Sequence, residues 1–524
     1  MKKADVVIVG LGPVGATLAS LLGLHGIETL VVEESAAIVE QPRAISLDND
    51  ALRILQLAGL PEGAFPVTVI PYVQMRSPIY GDYARGNTTG RIDGHPKLVT
   101  FYQPDLERAL RAVLPRRETV RVETGARVTE IRSEAAGVNV TAVRGDGSVL
   151  SVAAKYLVGC DGAASFVRGA VGLELVGETY PQDWLVVDVR NAPDPIDHVE
   201  FWCDPERPSP RMPAPGGRQR WEFMLRPGET RAQMEREDVA RALMSRWTKG
   251  ADVEIERLAV YRFHARIVER FSVGRVFLAG DAAHVTPPFA GQGLVSGLRD
   301  VANLGWKLAW VLRGWASPHI LGSYDTERRP HAARTIDLAR FMGRMVMPRS
   351  MAAAFAVHGV MRVIDLLPPT RRLFRDLEIK PKNAFTRGLF ARRRLRERLT
   401  AGSPFPQGRL LEGVRTGLSD DTLGAQLSLV GFGVDPGRGL AGETKERWVK
   451  SGGQLVVIHR PSQEPPAPSS ARCCEDVDGT FVGRAAPVGW VAVVRPDHTV
   501  MCEGLASNVT RIAQRALDLL GGPK

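Results

Sequence analysis

What this 524-residue chain lacks narrows its class before any motif is read. It has five cysteines (Cys160, Cys203, Cys473, Cys474 and Cys502) and no C-x-x-C, so neither a zinc site nor a dithiol redox pair is written in it, and a reducing compartment suits it. Cys473 and Cys474 leave two readings open, a redox-active pair or two ordinary thiols, of which the second is preferred. No apolar run reaches the length of a membrane span. "MKKADVVIVG" meets its glycine turn before an apolar leader core has formed, so a cytoplasmic protein without membrane attachment is expected. Internal repeats are also missing. The formal charge of +10 comes without the aromatic-interleaved surface that stacks bases. Much of that excess lies in residues 366–398, which read as a solvated helix face or linker, and no nucleic-acid partner is expected.

What is present is the composition of a soluble globular protein, 44% hydrophobic and 24% charged, in a chain long enough for two or three domains. The fold class is α/β. Residues 1–34 read as strand, tight turn, helix and strand, one βαβ unit. "DLERALRAVLPR" (105–116) reads as an amphipathic helix capped by Asp105, and alternating strands follow it. From about 176 to 264 the texture becomes that of an antiparallel sheet around a Pro/Arg/Gly-rich loop, "DPERPSPRMPAPGGRQ", and α/β text returns at 275. The expected domains are therefore 1–175 plus 265–345, an inserted sheet over 176–264, a helical connector over 346–400, and a small C-terminal α/β domain over 401–524.

Two elements carry chemistry. The first is Gly10, Gly12 and Gly15, spaced G-x-G-x-x-G, with Glu33 following Gly15 by 18 residues at the end of the next strand. Glycines let the backbone turn tightly and let a pyrophosphate approach without meeting a Cβ, and the helix N-terminus offers free N–H groups. A carboxylate at Glu33 accepts hydrogen bonds from ribose hydroxyls. Together these predict dinucleotide binding. The second is Gly280-Asp281 after the strand "RVFLA", followed by Pro287-Pro288 and the glycine-rich start of a helix, "AGQGLVSGLRD". A carboxylate there sits where open α/β sheets bind ligands.

In "GLGPVG" with Glu33, "CDGAASFVR" (160–168) and "GRVFLAGDAAHVTPP…GQG" (274–293), the sequence resembles the class A FAD-dependent aromatic hydroxylases, those like p-hydroxybenzoate hydroxylase. In texture it is closest to 3-(3-hydroxyphenyl)propionate hydroxylases. The resemblance implies a Rossmann-like FAD-binding domain, the inserted substrate sheet and a thioredoxin-like C-terminal domain without redox cysteines. It implies FAD as cofactor, held at Gly10, Gly12, Pro13, Val14 and Gly15, with Glu33 on the adenosine ribose and the Val128 backbone on adenine. Arg43 would reach the pyrophosphate or flavin side and Gln103 the flavin. Asp161 would support both FAD and nicotinamide use, Gly280 and Asp281 the ribityl chain, and Pro288, Gly291, Gly293 and Leu294 the isoalloxazine edge. Ala290 and Val295 depart from the family's G-G-Q-G-M-N.

The reaction implied uses NADH or NADPH and O2, through a flavin C4a-hydroperoxide, to hydroxylate a small phenolic substrate. A base for the phenol is expected but not identified. His264 and Pro287 are candidates for the reaction centre. His284 reads as architectural. Phe201, Trp221, Phe223 and Pro287 are candidates for the substrate wall, and Arg211, Arg218 and Arg220 for a substrate carboxylate, with a mobile loop as the alternative. A polyketide-tailoring hydroxylase, a flavin oxidase or dehydrogenase, and a C-terminal binding module that makes a homodimer are the other readings.

Overall fold

The computed structural model describes residues 2–348, 350–366, 380–391, 398–461, 463 and 471–521. Its first sheet is built on continuous apolar runs. Val6, Val7 and Ile8 in the strand Lys2–Val9 are fully buried, as a strand covered on both faces must be. That strand pairs in parallel with Thr29–Glu33 on one side and with Val149–Gly159 on the other. The last residues of Val149–Gly159 pair in parallel with Val276–Leu278. Four parallel strands thus deliver Gly10, Glu33, Asp161 and Gly280 to one edge of the sheet, although their codons lie up to half the chain apart. The first half of Val149–Gly159 instead pairs antiparallel with Val138–Arg144, which pairs with Ala126–Ser133.

The second sheet has eight strands and crosses the expected boundary. Besides Val176–Arg190, Val199–Trp202, Ser209–Ala214, Arg218–Met224 and Glu254–Ile267 it takes in Tyr72–Ser77, Gly81–Asn87 and His284–Val285. The inserted domain is therefore wider than 176–264. The loop expected over "DPERPSPRMPAPGGRQ" is a hairpin, Ser209–Ala214 against Arg218–Met224, turning through Gly216 and Gly217, both at positive φ. Near 105 the helix starts earlier than its acidic cap suggests, at Gln103, with Pro104 in the first turn where its missing N–H costs nothing.

Helices Gly293–Leu312 and Ser323–Val346 return to the first sheet, and Met351–Leu366 lies against Gly81–Asn87. Of the expected helical connector, residues 380–391 are not helical, and 367–379 and 392–397 lie outside the described residues. The C-terminal domain is a seven-stranded mixed sheet, with helices Gly442–Lys450 and Val509–Leu520. Two buried arginines bolt it on. Arg53 donates to Asp420 at 2.5 and 2.8 Å and to the Phe405 carbonyl at 2.8 Å. Arg495 donates to Glu327 at 2.8 and 3.1 Å. Cys473 and Cys474 are neighbours on one strand of this domain. Burial raises the first thiol and pushes the second up to about 12.

Candidate active site

The site is built where the four parallel strands end. Gly10 adopts φ +99°, and a methyl added there would lie 2.4 Å from the Cys160 carbonyl oxygen. Gly15 is as tight, with the Gly10 carbonyl oxygen 2.0 Å from where its Cβ would be. Gly12 differs in kind: a Cβ there would meet nothing within 4 Å. The outer two glycines are demanded by the protein itself, and Gly12 by whatever occupies the space beyond it. Pro13 opens the helix Pro13–Leu24, which has no side-chain cap and no acidic residue in its first turn. Its N–H groups and positive end remain available to an anion.

Glu33 accepts from the Leu11 N–H at 2.6 Å and the Ser35 N–H at 2.8 Å. It is thereby fixed beside the turn, with carboxylate lone pairs left over for hydroxyl donors. Val14 packs into the gap between Gly280 and Gly297: its Cγ2 lies 3.1 Å and 2.7 Å from where their Cβ atoms would be. This contact brings the two glycine-rich segments, nearly 270 residues apart in sequence, to one place. Arg168 closes the same edge, donating to the Ala282 carbonyl at 3.2 Å and the Ala163 carbonyl at 2.8 Å.

Asp161 is occupied by its own segment. It accepts from Ser165 Oγ at 2.5 Å and the Val167 N–H at 3.0 Å, and burial raises its pKa against those bonds. Asp281 is the opposite case. Among the described residues nothing donates to its carboxylate, and burial raises its pKa while His284 and Arg43 pull it down. His284 is architectural in its bonding: its Nε2 meets Asp300 at 2.7 Å, and Asp300 also receives the Gly280 N–H at 3.0 Å and Arg328 Nε at 2.9 Å. Burial alone would raise Asp300, but His284 and Arg328 hold it below the ordinary carboxylate range.

Arg43 and Gln103 share a bond. The Gln103 amide oxygen accepts from the N–H groups of Arg43 and Ala44, each at 2.9 Å, and its NH2 donates to Glu107 at 2.8 Å. Gln103 therefore shapes the loop that carries the exposed Arg43. Val128 is buried at a β-bulge in Ala126–Ser133. Pro288, Gly291, Gly293 and Leu294 lead into the helix Gly293–Leu312, which like the first has no side-chain cap and no acid in its first turn. Gly291 is at φ +61°, with Ser46 Oγ 2.4 Å from where its Cβ would be.

Behind that helix start lies a network that motif reading missed. Gln292, 6% exposed, donates to Asp48 at 2.9 Å and accepts from Arg299 at 3.0 Å, and Arg299 bridges Asp48 and Asp50 at 3.1 and 2.5 Å. Lys380 also pairs with Asp48. The available signal was Arg299 and Asp300 standing inside an otherwise apolar helix, since charges there need partners.

The substrate candidates separate by strand parity. Trp221 and Phe223 face away, into a core with Met234, Ala240 and Met244. Phe201 faces the other way, into a cluster with Met75, Met212, Trp184 and Phe289. There Trp184 stacks on Phe263 with centroids 5.4 Å apart, and Phe289 meets both edge-on at 5.8 Å. Pro287 is buried two residues before Phe289. His264 alternates with Phe263, so it lies on the opposite face, where its Nδ1 meets Thr179 Oγ1 at 3.0 Å. Arg211 pairs with Glu200 at 3.0 Å, Arg218 with Glu256 at 2.6 Å and Arg220 with Asp188 at 2.7 Å, so none of them is a mobile loop residue waiting for a carboxylate.

These residues fit FAD. The open face of Gly12, two uncapped helix starts and a donor-free carboxylate at Asp281 match a pyrophosphate and a polyhydroxyl chain. Among the described residues no group of His, Cys, Asp or Glu is arranged to hold a metal, and no helix is long and apolar enough to cross a membrane.

Comparison with known proteins agrees. The family model described as FAD binding domain matches residues 3–339, and that described as HcaD C-terminal domain matches 402–519. The chain is 36% identical to the 3-(3-hydroxy-phenyl)propionate/3-hydroxycinnamic acid hydroxylase 2 of Burkholderia vietnamiensis, over 96% of this chain and 94% of that one. It is 35% identical to the 3-(3-hydroxy-phenyl)propionate/3-hydroxycinnamic acid hydroxylase of Klebsiella pneumoniae subsp. pneumoniae, over 98% and 94%. Among solved structures, the flavin-dependent monooxygenase PieE, in complex with FAD and substrate, aligns with a TM-score of 0.82 at 20% identity over 99% of both chains. OxyS anhydrotetracycline hydroxylase from Streptomyces rimosus aligns at 0.78 and 24% over all of both. At such identities these two establish the fold alone. With the strand-tip geometry, the family match over residues 3–339 and the near-full-length relatives together, the chain belongs to the FAD-binding monooxygenase family, the flavin-dependent aromatic hydroxylases.

Proposed function

We propose that the protein hydroxylates a small phenol bearing a short acidic chain, of the 3-(3-hydroxyphenyl)propionate type, with NADH or NADPH and O2 as co-substrates. The observation that carries this reading is the identity of about a third, over nearly the whole length, to hydroxylases named for that substrate class. The tailoring enzymes that share the fold do so at lower identity, which lends their substrates no weight here.

Bound FAD would supply the electron transfer and the activation of O2. The chain's own contribution is position and environment. Gly12 and the helix start at Pro13 would take the pyrophosphate, and Glu33 and Asp281 would accept from ribose and ribityl hydroxyls. The positive end of Gly293–Leu312, held by Gln292 and Arg299, would stabilise negative charge on the flavin. Trp184, Phe201, Phe263 and Phe289 would wall the ring substrate and keep water from it. A nicotinamide would dock transiently near Asp161 and Arg168.

The test is a panel of phenols and arylalkanoic acids scored for both NAD(P)H oxidation and product mass. Hydroxyphenylpropionates should stimulate oxidation and gain one oxygen atom with tight coupling. If no member gains oxygen while peroxide accounts for the reductant, the reading is wrong.

A further inference from the structure

One carboxyl on the cofactor-facing side of the second sheet is left without a hydrogen-bond partner among the described residues. Along Arg218–Met224 the side chains alternate between two faces. Trp221 and Phe223 enter the core on the far face. Arg220 points to the FAD domain, donating to the Pro42 and Arg43 carbonyls at 3.1 Å each, and Met224 packs against the cluster of Trp184 and Phe289. Glu222 stands between Arg220 and Met224 on that same face.

The register defines its surroundings. Glu222 pairs with Val186, which pairs with Ala259. On the other side, the pairs Arg211↔Trp221 and Phe201↔Pro210 set Pro210 and then Phe201 in the same row. In the row Phe201, Pro210, Glu222, Val186, Ala259 the carboxyl is the one ionisable group. It is 8% exposed, and among the described residues no hydrogen bond reaches it. Its charged neighbours are Arg220 on its own strand, Asp188 on Val176–Arg190 and Arg257 on Glu254–Ile267, with Tyr261 on the same face held by Arg257. Both arginines are committed elsewhere, Arg220 to Asp188 at 2.7 and 2.9 Å and Arg257 to Asp188 at 3.3 Å and to Pro42. A carboxylate to which the protein gives no donor is free to accept one from a ligand.

We propose that Glu222 accepts the hydrogen bond, and then the proton, of the substrate's phenolic hydroxyl. This rests on the phenol-hydroxylase reading above and supplies the base that motif reading could not name. The phenolic O–H bond breaks, the proton passes to Glu222 Oε, and the electron pair stays on the phenolate oxygen, enriching the ring for attack. After oxygen insertion the ring carbon's proton leaves to solvent as aromaticity returns, and the phenolate oxygen takes its proton back from Glu222. The carboxyl ends as it began. Burial raises the Glu222 pKa, Arg220 and Arg257 oppose that and Asp188 adds to it, which makes the group a better acceptor for a weakly acidic phenol than a solvated carboxylate.

The experiment uses FAD-loaded enzyme and a phenol that the wild type hydroxylates. If the wild type hydroxylates none, the functional reading has failed and Glu222 is not at issue. With such a phenol, ultraviolet difference spectra should show the bound substrate ionising at higher pH than the free phenol, because the carboxylate stabilises the hydrogen-bonded neutral hydroxyl and repels a second negative charge. In Glu222→Gln that ionisation should return toward the free value, kcat should fall about 100-fold, and raising the pH should recover part of the loss. FAD affinity should not move. Glu222→Asp should restore part of the ionisation shift. Wild-type kcat and pH profile in Glu222→Gln would overturn the assignment. Should the glutamine variant lose FAD or fold poorly, the wild type decides: a bound phenol that titrates like the free one, and a methyl ether analogue bound as tightly as the phenol, would overturn it equally.

Discussion

The cofactor-facing strand tips and the seam that carries the C-terminal domain both bury charge, and they differ in what completes it. At the seam Glu327, 2% exposed, is saturated. It receives Arg495 twice, Lys307 Nζ at 2.9 Å, Asn303 Nδ2 at 2.6 Å and the Leu389 N–H at 2.8 Å. On the cofactor-facing side Asp281, at the strand tips, and Glu222, on the second sheet, accept nothing from the described residues. The same residue types are structural where the protein supplies every donor, and are candidates for ligand contact where it supplies none. Burial by itself does not distinguish the two.

Glu327→Ala tests the seam and carries the largest expected effect. It strands Arg495 and Lys307, both fully buried, without their shared carboxylate. Removing one partner of such a cluster costs about 3–5 kcal/mol. Denaturant unfolding should show that loss, while the folded fraction binds FAD as before. A variant that unfolds normally but loses flavin would erase the distinction between the two regions.

Asp281→Asn is the complementary break. No protein partner is stranded, so stability without cofactor should hardly change. The charge-assisted hydrogen bonds to ligand hydroxyls that would be lost are each worth about 1.5–3 kcal/mol, so the FAD Kd should rise about 10- to 100-fold, read by flavin fluorescence on titration. An unchanged Kd, with lowered stability of the apoprotein, would place Asp281 with the seam residues.

How far the sequence discloses this contrast depends on the range of each signal. The glycine turn, Glu33 and Gly280-Asp281 are legible because each is a local backbone requirement: Gly10 and Gly15 cannot bear a Cβ where they stand. The hairpin over 209–224 was not, because Pro210 and Pro213 within a strand argue against one, and only the pairing with both neighbours holds them there. Trp221 and Phe223 were misplaced as pocket candidates for a related reason. Aromatic residues in a sheet advertise burial, but which face they enter depends on a register set by distant strands. The Arg53 and Arg495 clamps join residues more than 160 positions apart, and spacing rules do not reach that far.

Acid separates the two regions by a smaller and graded effect. Burial would raise Glu327, but Arg495 and Lys307 hold it far below the ordinary range, so it stays ionised as the pH falls toward 4. His25 behaves otherwise. It ends the glycine helix, its N–H on the Leu22 carbonyl and its ring edge-on to Trp310 at 5.2 Å, and burial, with Arg313 beside it, lowers its pKa to about 4. The folded value lies below the unfolded one, so the unfolded chain binds more protons between the two, and stability is lost as the pH drops from about 6.5 toward 4. At pH 5.5 the loss from this group is about 1.4 kcal/mol. His331 and His498 are also lowered by burial and add loss of the same sign, but equally in wild type and variant. The stability difference between wild type and His25→Gln should therefore shift by about 1.4 kcal/mol in favour of the variant between pH 7.5 and 5.5, measured by urea unfolding at each pH. A parallel pair of stability curves would mean that the ring protonates in the folded state, and that acid sensitivity enters elsewhere than at the end of the helix that starts at the proposed pyrophosphate site.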